Sequence, residues 1–230
     1  MSYSYDNRGN YYLCGMHVQV HSFTFNGFQE NTVVLSDEQG HAVIIDPGCY
    51  EAHERQELLH YIDTSNLRVE GLLNTHCHID HVLGNQFISE TYQVPLGIHS
   101  LDLDTLNRVA DYAHVYGFEG YVPSPAPSYW LEHKQKIQFG SIELTVLFTP
   151  GHAPGHVVFY IEKEGIVING DVLFKGSFGR IDLPGGDMET LKRSIHEVMF
   201  QLPNDTLVYC GHGPTTTIGV EKETNYILQF

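Results

Sequence analysis

Within the six residues His76, Cys77, His78, Ile79, Asp80 and His81 stand three imidazoles and a carboxylate. A buried packing segment cannot carry that load, because each polar group needs a partner or a compensating charge once it leaves water. The chemistry that suits them is metal ligation: neutral imidazole and carboxylate oxygen bind a Zn²⁺-like ion at about 2.0–2.2 Å. One ion rarely takes four ligands from a single tight turn, so the spacing points to two ions side by side.

Three later clusters extend the pattern. Thr149-Pro150-Gly151-His152 follows an apolar run, Gly170-Asp171 follows residues 165–169, and Gly211-His212-Gly213 follows residues 206–210. In each, a β-type run ends and a His or Asp stands next to glycine, where side chains from distant segments can converge. His76, His78, His81, His152, His212, Asp80 and Asp171 together suffice for two four-coordinate ions sharing one carboxylate and a water. The chain has 15 histidines, and the others read as ordinary surface or core residues. His156, four positions after His152, reads as structural, with support of a ligand as the alternative.

The ordered set His76-x-His78-x-Asp80-His81, His152, Asp171 and His212 resembles the metallo-β-lactamase fold superfamily. Within it, the chain resembles the compact bacterial glyoxalase II-like hydrolases, over about residues 18–219. The stretches Gly170-Asp171-Val172-Leu173-Phe174 and Gly179-Arg180-Ile181-Asp182 look typical of this branch. The resemblance implies an αββα sandwich, two mixed sheets packed between helices. It implies that His76, His78 and His152 hold one metal, that Asp80, His81 and His212 hold the other, and that Asp171 bridges them. Asp80 is also taken as the catalytic carboxylate. Zinc is the expected metal, although such sites also accept iron and manganese.

Metal coordination brings the pKa of a bound water from 15.7 towards about 7, which is chemistry for hydrolysis. A thioester fits best, since a thiolate of pKa about 8.5 leaves without a dedicated proton donor. The resemblance narrows this to an S-(2-hydroxyacyl)glutathione such as S-lactoylglutathione. An anionic conjugate needs local basic groups, and between Phe139 and Leu191 these are Lys163, Lys175 and Arg180. Arg180 matches a substrate-binding lysine of the longer glyoxalase II enzymes, and Lys175 is the second candidate. Those enzymes grip glutathione with a further C-terminal domain, whereas 18 residues follow His212 here; fewer contacts or a different acyl thioester is expected. Two alternatives stay open: a mononuclear iron persulfide dioxygenase using the equivalents of His76, His152 and Asp171, and a lactonase-type hydrolase.

Stepping from ligands to the elements that carry them, 230 residues suffice for one sizeable core, and residues 1–230 are expected to form one domain. A formal charge of −16 argues against nucleic-acid and anionic-membrane partners. Residues 1–16 lack the basic and apolar regions of a signal peptide. No run approaches the ~18 apolar residues of a membrane span, and a cytoplasmic location is expected. Cys14, Cys49, Cys77 and Cys210 are dispersed and read as small buried hydrophobes rather than a disulfide framework. Strands are expected at 17–25, 31–36, 42–46, 69–74, 142–148, 157–162 and 166–169, and helices at 51–64, 82–91, 102–116 and 187–202. Residues 101–135 read either as a lid over the substrate cleft or as a surface helix with a Pro-rich connector.

Overall fold

In the computed structural model, residues 17–230 are described throughout, together with the backbone of an antiparallel strand pair, Tyr3–Tyr5 with Tyr11–Leu13. Cys14 lies outside the described residues.

Short runs rich in Val, Ile and Leu are too apolar for a strand with one wet face, and they form two six-stranded mixed sheets. The first runs, in spatial order, Val18–Phe25, Glu30–Asp37, His41–Ile45, Arg68–Leu73, Leu96–Ile98 and Tyr129–Trp130. Its first three strands are antiparallel neighbours and the rest pair in parallel. The second runs Thr216–Thr217, Leu207–Cys210, Ile166–Gly170, Val157–Ile161, Ile142–Phe148 and Lys136–Phe139. Only Ile166–Gly170 with Leu207–Cys210 is a parallel pair there.

Period-two alternation sorts each strand between two cores. Val33, Leu35, Val43 and Ile45 face Leu144, Val146, Phe159 and Ile168 across the gap between the sheets. The intervening Val34, Ala42 and Ile44 pack on Leu58 and Ile62 of the helix Ala52–Thr64 and on Ile88, Leu106 and Val109. On the far side, Val158, Val167 and Val208 pack on Leu191, Ile195 and Met199. The layers are therefore helix, sheet, sheet, helix.

Most expected elements lie within a residue or two of their observed bounds. Two helices differ. The expected helix 82–91 is two short ones, Ile79–Val82 and Asn85–Tyr92. The first begins inside the histidine motif, with His78 at its N-cap, so Asp80 and His81 sit on a helical turn rather than a loop. The expected helix 102–116 is α-helical over Leu103–Tyr112 and tightens to 3₁₀ at Ser100–Asp102 and Ala113–Tyr116. No helix among the described residues is long and apolar enough to cross a membrane.

Candidate metal centre

The parallel strands of both sheets end at the same rim of the sandwich. His41–Ile45 runs into Asp46, and Arg68–Leu73 into the loop that carries His76 and His78. From the other sheet, Ile166–Gly170 ends at Asp171, Leu207–Cys210 leads to His212, and the loop after Ile142–Phe148 carries His152. The two rims are tied directly: Asn31 N–H donates to the Gly211 carbonyl at 2.7 Å, and Glu30 forms an isolated β-bridge with His212.

Two groups of ligand atoms result, each with its members within 4.8 Å of one another: His76, His78 and His152, and Asp80, His81 and His212. Asp171 lies between them. Its Oδ1 is 3.5 Å from His81 Nε2, and its Oδ2 is 3.5 Å from both His152 Nε2 and His212 Nε2. Gly211 makes this approach possible, because a Cβ there would stand 2.1 Å from Asp171 Oδ1.

Hydrogen bonds outside the two groups fix which imidazole nitrogens are left free, as ligating histidines require. His152 Nδ1–H donates to the Arg180 carbonyl at 2.7 Å. His212 Nδ1–H donates to the carbonyls of Phe28 and Gln29 at 3.1 and 3.2 Å. His81 Nδ1–H donates to Asp46 Oδ2 at 3.2 Å. Thr75 Oγ–H donates to Asp46 Oδ2 at 2.6 Å, which leaves its oxygen to accept from His76 Nδ1–H at 3.1 Å. The remaining nitrogens face one another: His76 Nε2 lies 3.2 Å from His152 Nε2, and His78 Nδ1 lies 2.9 Å from the same atom.

These contacts test whether a cation fits. With both Nδ1 atoms protonated, His76 Nε2 and His152 Nε2 present lone pairs to each other, an arrangement that repels unless a positive charge sits beside it. His81 Nε2 and Asp171 Oδ1 are buried without a hydrogen-bond partner. Burial, and then neighbouring imidazoles, hold His76 well below its ordinary pKa and His78 down at about 3. Neutral imidazole is the ligating form. Burial opposes charge on His212 too, but hydrogen bonds and attraction from Asp171 and Asp80 overcome it and raise the ring to about 10. Asp171 behaves in the mirror sense: burial opposes its charge, and His81 and His212 hold it well below the usual carboxylate range. The donor set is neutral imidazole on one side, and on the other Asp80 and Asp171 hold a proton on His212 that a bound cation would replace, so cations fit both.

Several residues of this centre carry no motif signal in the sequence. Asp46, with a left-handed φ of 50°, holds a sparsely populated conformation of the kind that clusters at functional sites. It lies within the same 4.8 Å reach as His76 and His81. Its oxygens are taken by Thr75 N–H at 2.7 Å, Thr75 Oγ–H and His81 Nδ1–H, so it orients rather than ligates. Glu30 is fully buried with Oε1 at 3.8 Å from His81 Nδ1, and burial pushes its carboxyl up against the pull of that ring. His156 stacks on His76 at 4.7 Å and accepts the Asp171 N–H at 3.1 Å, so in place of the expected structural role it takes the alternative one, support of two ligand residues. The positive φ of Asp46 and the His156 spacing were the available hints, and only the second is visible in a sequence.

A cleft of about 960 Å³ opens over the centre and is lined by His78, Asp80, His152, Asp171 and His212 at its floor. Phe28, Tyr112, Tyr116, Phe174 and Phe178 form apolar walls, and Arg108 and Arg180 add positive charge. Arg180 lies at the cleft, 60% exposed, and its guanidinium donates two 2.7 Å hydrogen bonds to Asp182. Lys175 is exposed at the turn between Leu173–Phe174 and Ser177–Phe178 and is not part of the cleft wall. Arg108 comes from the helix Leu103–Tyr112, outside the span between Phe139 and Leu191 that holds the sequence candidates. Of residues 101–135, the helical part through Tyr116 forms one wall, whereas Pro123, Pro125, Pro127 and Trp130 do not reach it. Cys49, Cys77 and Cys210 are free and buried.

An αββα sandwich with two His/Asp ligand groups at one rim is the architecture of a metal-dependent hydrolase of the metallo-β-lactamase fold. Residues 25–212 match the profile of the Metallo-beta-lactamase superfamily, and the chain belongs to it. It is 34% identical over 203 residues to the hydroxyacylglutathione hydrolase GloC of Haemophilus influenzae, across 87% of this chain and 93% of the relative. The solved structure of the BLEG-1 B3 metallo-beta-lactamase superposes with a TM-score of 0.83 at 33% identity, over 92% of this chain and 100% of that one. That of TTHA1623 in a di-iron-bound form superposes with a TM-score of 0.81 at 37% identity, over 90% of this chain and 99% of that one.

Proposed function

We propose that the chain is a dinuclear hydrolase that cleaves a thioester, with an S-(2-hydroxyacyl)glutathione such as S-lactoylglutathione as its small-molecule substrate. The observation that carries the reading is the pair of ligand groups with the Asp171 carboxylate between them. In this reading His76, His78 and His152 hold one divalent ion, Asp80, His81 and His212 hold the other, and Asp171 serves both. Zinc is the default, with iron and manganese chemically acceptable. When bound, the ions supply Lewis acidity, which acidifies water and polarises a carbonyl oxygen.

The chain's own residues do the positioning. Asp46, Thr75 and the Arg180, Phe28 and Gln29 carbonyls lock the ring tautomers, so each free nitrogen points inward before substrate arrives. Asp80 lines the cleft and lies 3.1 Å from His212 Nε2; in this reading it is also the carboxylate that handles the proton. The aromatic walls exclude water from the acyl group, and Arg180 offers charge to an anionic leaving portion. The GloC relative supports the glutathione thioester, and Lys175, exposed between the lining residues Phe174 and Ser177, is the second candidate for an anionic portion of the substrate.

The likeness to a B3 metallo-beta-lactamase gives a second reading, β-lactam hydrolysis, whose amide nitrogen needs protonation on leaving. The test is to reconstitute the protein with divalent metal and compare S-D-lactoylglutathione with nitrocefin. Faster thioester turnover is expected. Preferential nitrocefin cleavage would move the substrate to β-lactams, and no hydrolysis of either would remove the thioester assignment.

A further inference from the structure

We infer that Asp102 is a positioning residue for one half of the metal centre, the His76, His78 and His152 group, and not for the other half. The inference rests on the two-group reading above.

Asp102 is the N-cap of the helix Leu103–Tyr112. An Asp in that position ordinarily spends its carboxylate on the orphan amides of its own first turn. This one makes no such bond. Its Oδ2 accepts the Cys77 N–H at 2.7 Å, and its Oδ1 accepts the Gly155 N–H at 2.7 Å. The side chain is thus spent on two loops, 25 and 53 positions away in sequence. Cys77 sits between His76 and His78, and Gly155 lies just beyond His152. One carboxylate therefore ties together the two backbone segments that carry all three ligands of the first group.

The join is built for this contact. Asp102 is 1% exposed, where an unpaired carboxylate would be costly, and its two charge-assisted bonds offset part of the desolvation that pushes its carboxyl up. A Cβ on Gly155 would stand 2.6 Å from Asp102 N and 2.9 Å from its Oδ1, so the loop can approach only because residue 155 has no side chain. The second group has its own supports: His81 donates to Asp46, and His212 to the carbonyls of Phe28 and Gln29. None of these runs through Asp102.

Asp102→Asn keeps the shape and removes one acceptor, so one loop loses its anchor. The experiment is calorimetric Zn²⁺ titration of metal-free wild type, Asp102→Asn, His152→Ala and His212→Ala, with thermal unfolding of each metal-free protein alongside. The expected result is two binding events in wild type, and in Asp102→Asn a loss of about 10- to 100-fold in affinity for the event that His152→Ala abolishes. The event that His212→Ala abolishes should keep its wild-type affinity. Wild-type affinity at both sites in Asp102→Asn overturns the inference, and so does equal weakening of both, which marks a merely structural residue. If wild type itself binds fewer than two ions, or His152→Ala changes nothing, the two-group reading fails instead. Should Asp102→Asn not fold, Asp102→Glu, which keeps both acceptors but displaces them, is judged by the same site-selective loss.

Discussion

At the scale of single residues, the centre depends on atoms left deliberately unsatisfied. Most buried polar atoms find partners, yet Asp171 Oδ1 and His81 Nε2 do not. Asp171 is the side chain within 3.5 Å of members of both ligand groups. Asp171→Ala should therefore release metal from both and lower kcat/KM by more than about 100-fold, beyond the usual range for residues that only support ligands. Metal analysis with steady-state kinetics checks this; a variant that keeps two metals would remove Asp171 from the bridging position. Arg180 has a different role. Its ion pair with Asp182 is exposed and worth little to stability, so Arg180→Ala should leave Tm unchanged and raise KM for an anionic thioester with kcat nearly constant. An unchanged KM would place the anion elsewhere. Sequence spacing sufficed to find the seven ligand candidates, because histidines and aspartates crowd near glycine only where chemistry needs them. Asp46, Glu30 and Asp102 were not legible, since each acts through partners far off in sequence: Asp46 reaches Thr75 across 29 positions. Nothing local distinguishes such a carboxylate from one on the surface.

At the scale of elements, the site is a place where two sheets are held in register, and the pins that hold them deserve a test of their own. Asp37, at the end of the strand Glu30–Asp37, accepts bonds from His41 N–H and Nδ1–H at 2.9 Å within its own sheet. It also accepts from Ser141 N–H and Oγ–H, at 2.8 and 3.0 Å, at the turn between two strands of the other sheet. Burial alone would raise this carboxyl, but those bonds outweigh it and hold the group well below its ordinary value of 3.8. A depressed carboxylate stabilises the fold above its ordinary pKa, and that stability disappears as the pH falls from there through the folded value. Asp37→Asn should thus cost about 1–3 kcal/mol at neutral pH and less in acid. Urea unfolding at neutral pH and near pH 3 measures both; the same cost at each pH would show that charge is not what holds the pin. The longer strands were legible because apolar runs of β-branched residues admit few other fates, whereas Leu96–Ile98, Tyr129–Trp130, Lys136–Phe139 and Thr216–Thr217 are too short to carry that signal. The start of the helix Ile79–Val82 was not, since His78 caps it without a side-chain bond and the motif itself hides the periodicity.

At the scale of the whole molecule, an acidic chain of net charge −16 places three histidines, three aspartates and two arginines around one cleft, with His76 and His81 in the ligand groups beside it. Asp80 and Asp171 are paired with imidazoles there, an arrangement that bound cations would complete. Binding to the folded state alone stabilises it by mass action, about 2.7 kcal/mol at a ligand concentration 100 times Kd. For a domain of this size, chelation should lower Tm by roughly 5–10 °C, reversed by added divalent metal. No shift in a calorimetric scan would separate metal from fold. The most direct measurement is metal stoichiometry on anaerobically purified protein, paired with S-D-lactoylglutathione hydrolysis on the same sample. About two ions per chain with thioester turnover is the predicted result. One iron per chain, with oxygen uptake on glutathione persulfide and no thioester hydrolysis, would contradict it.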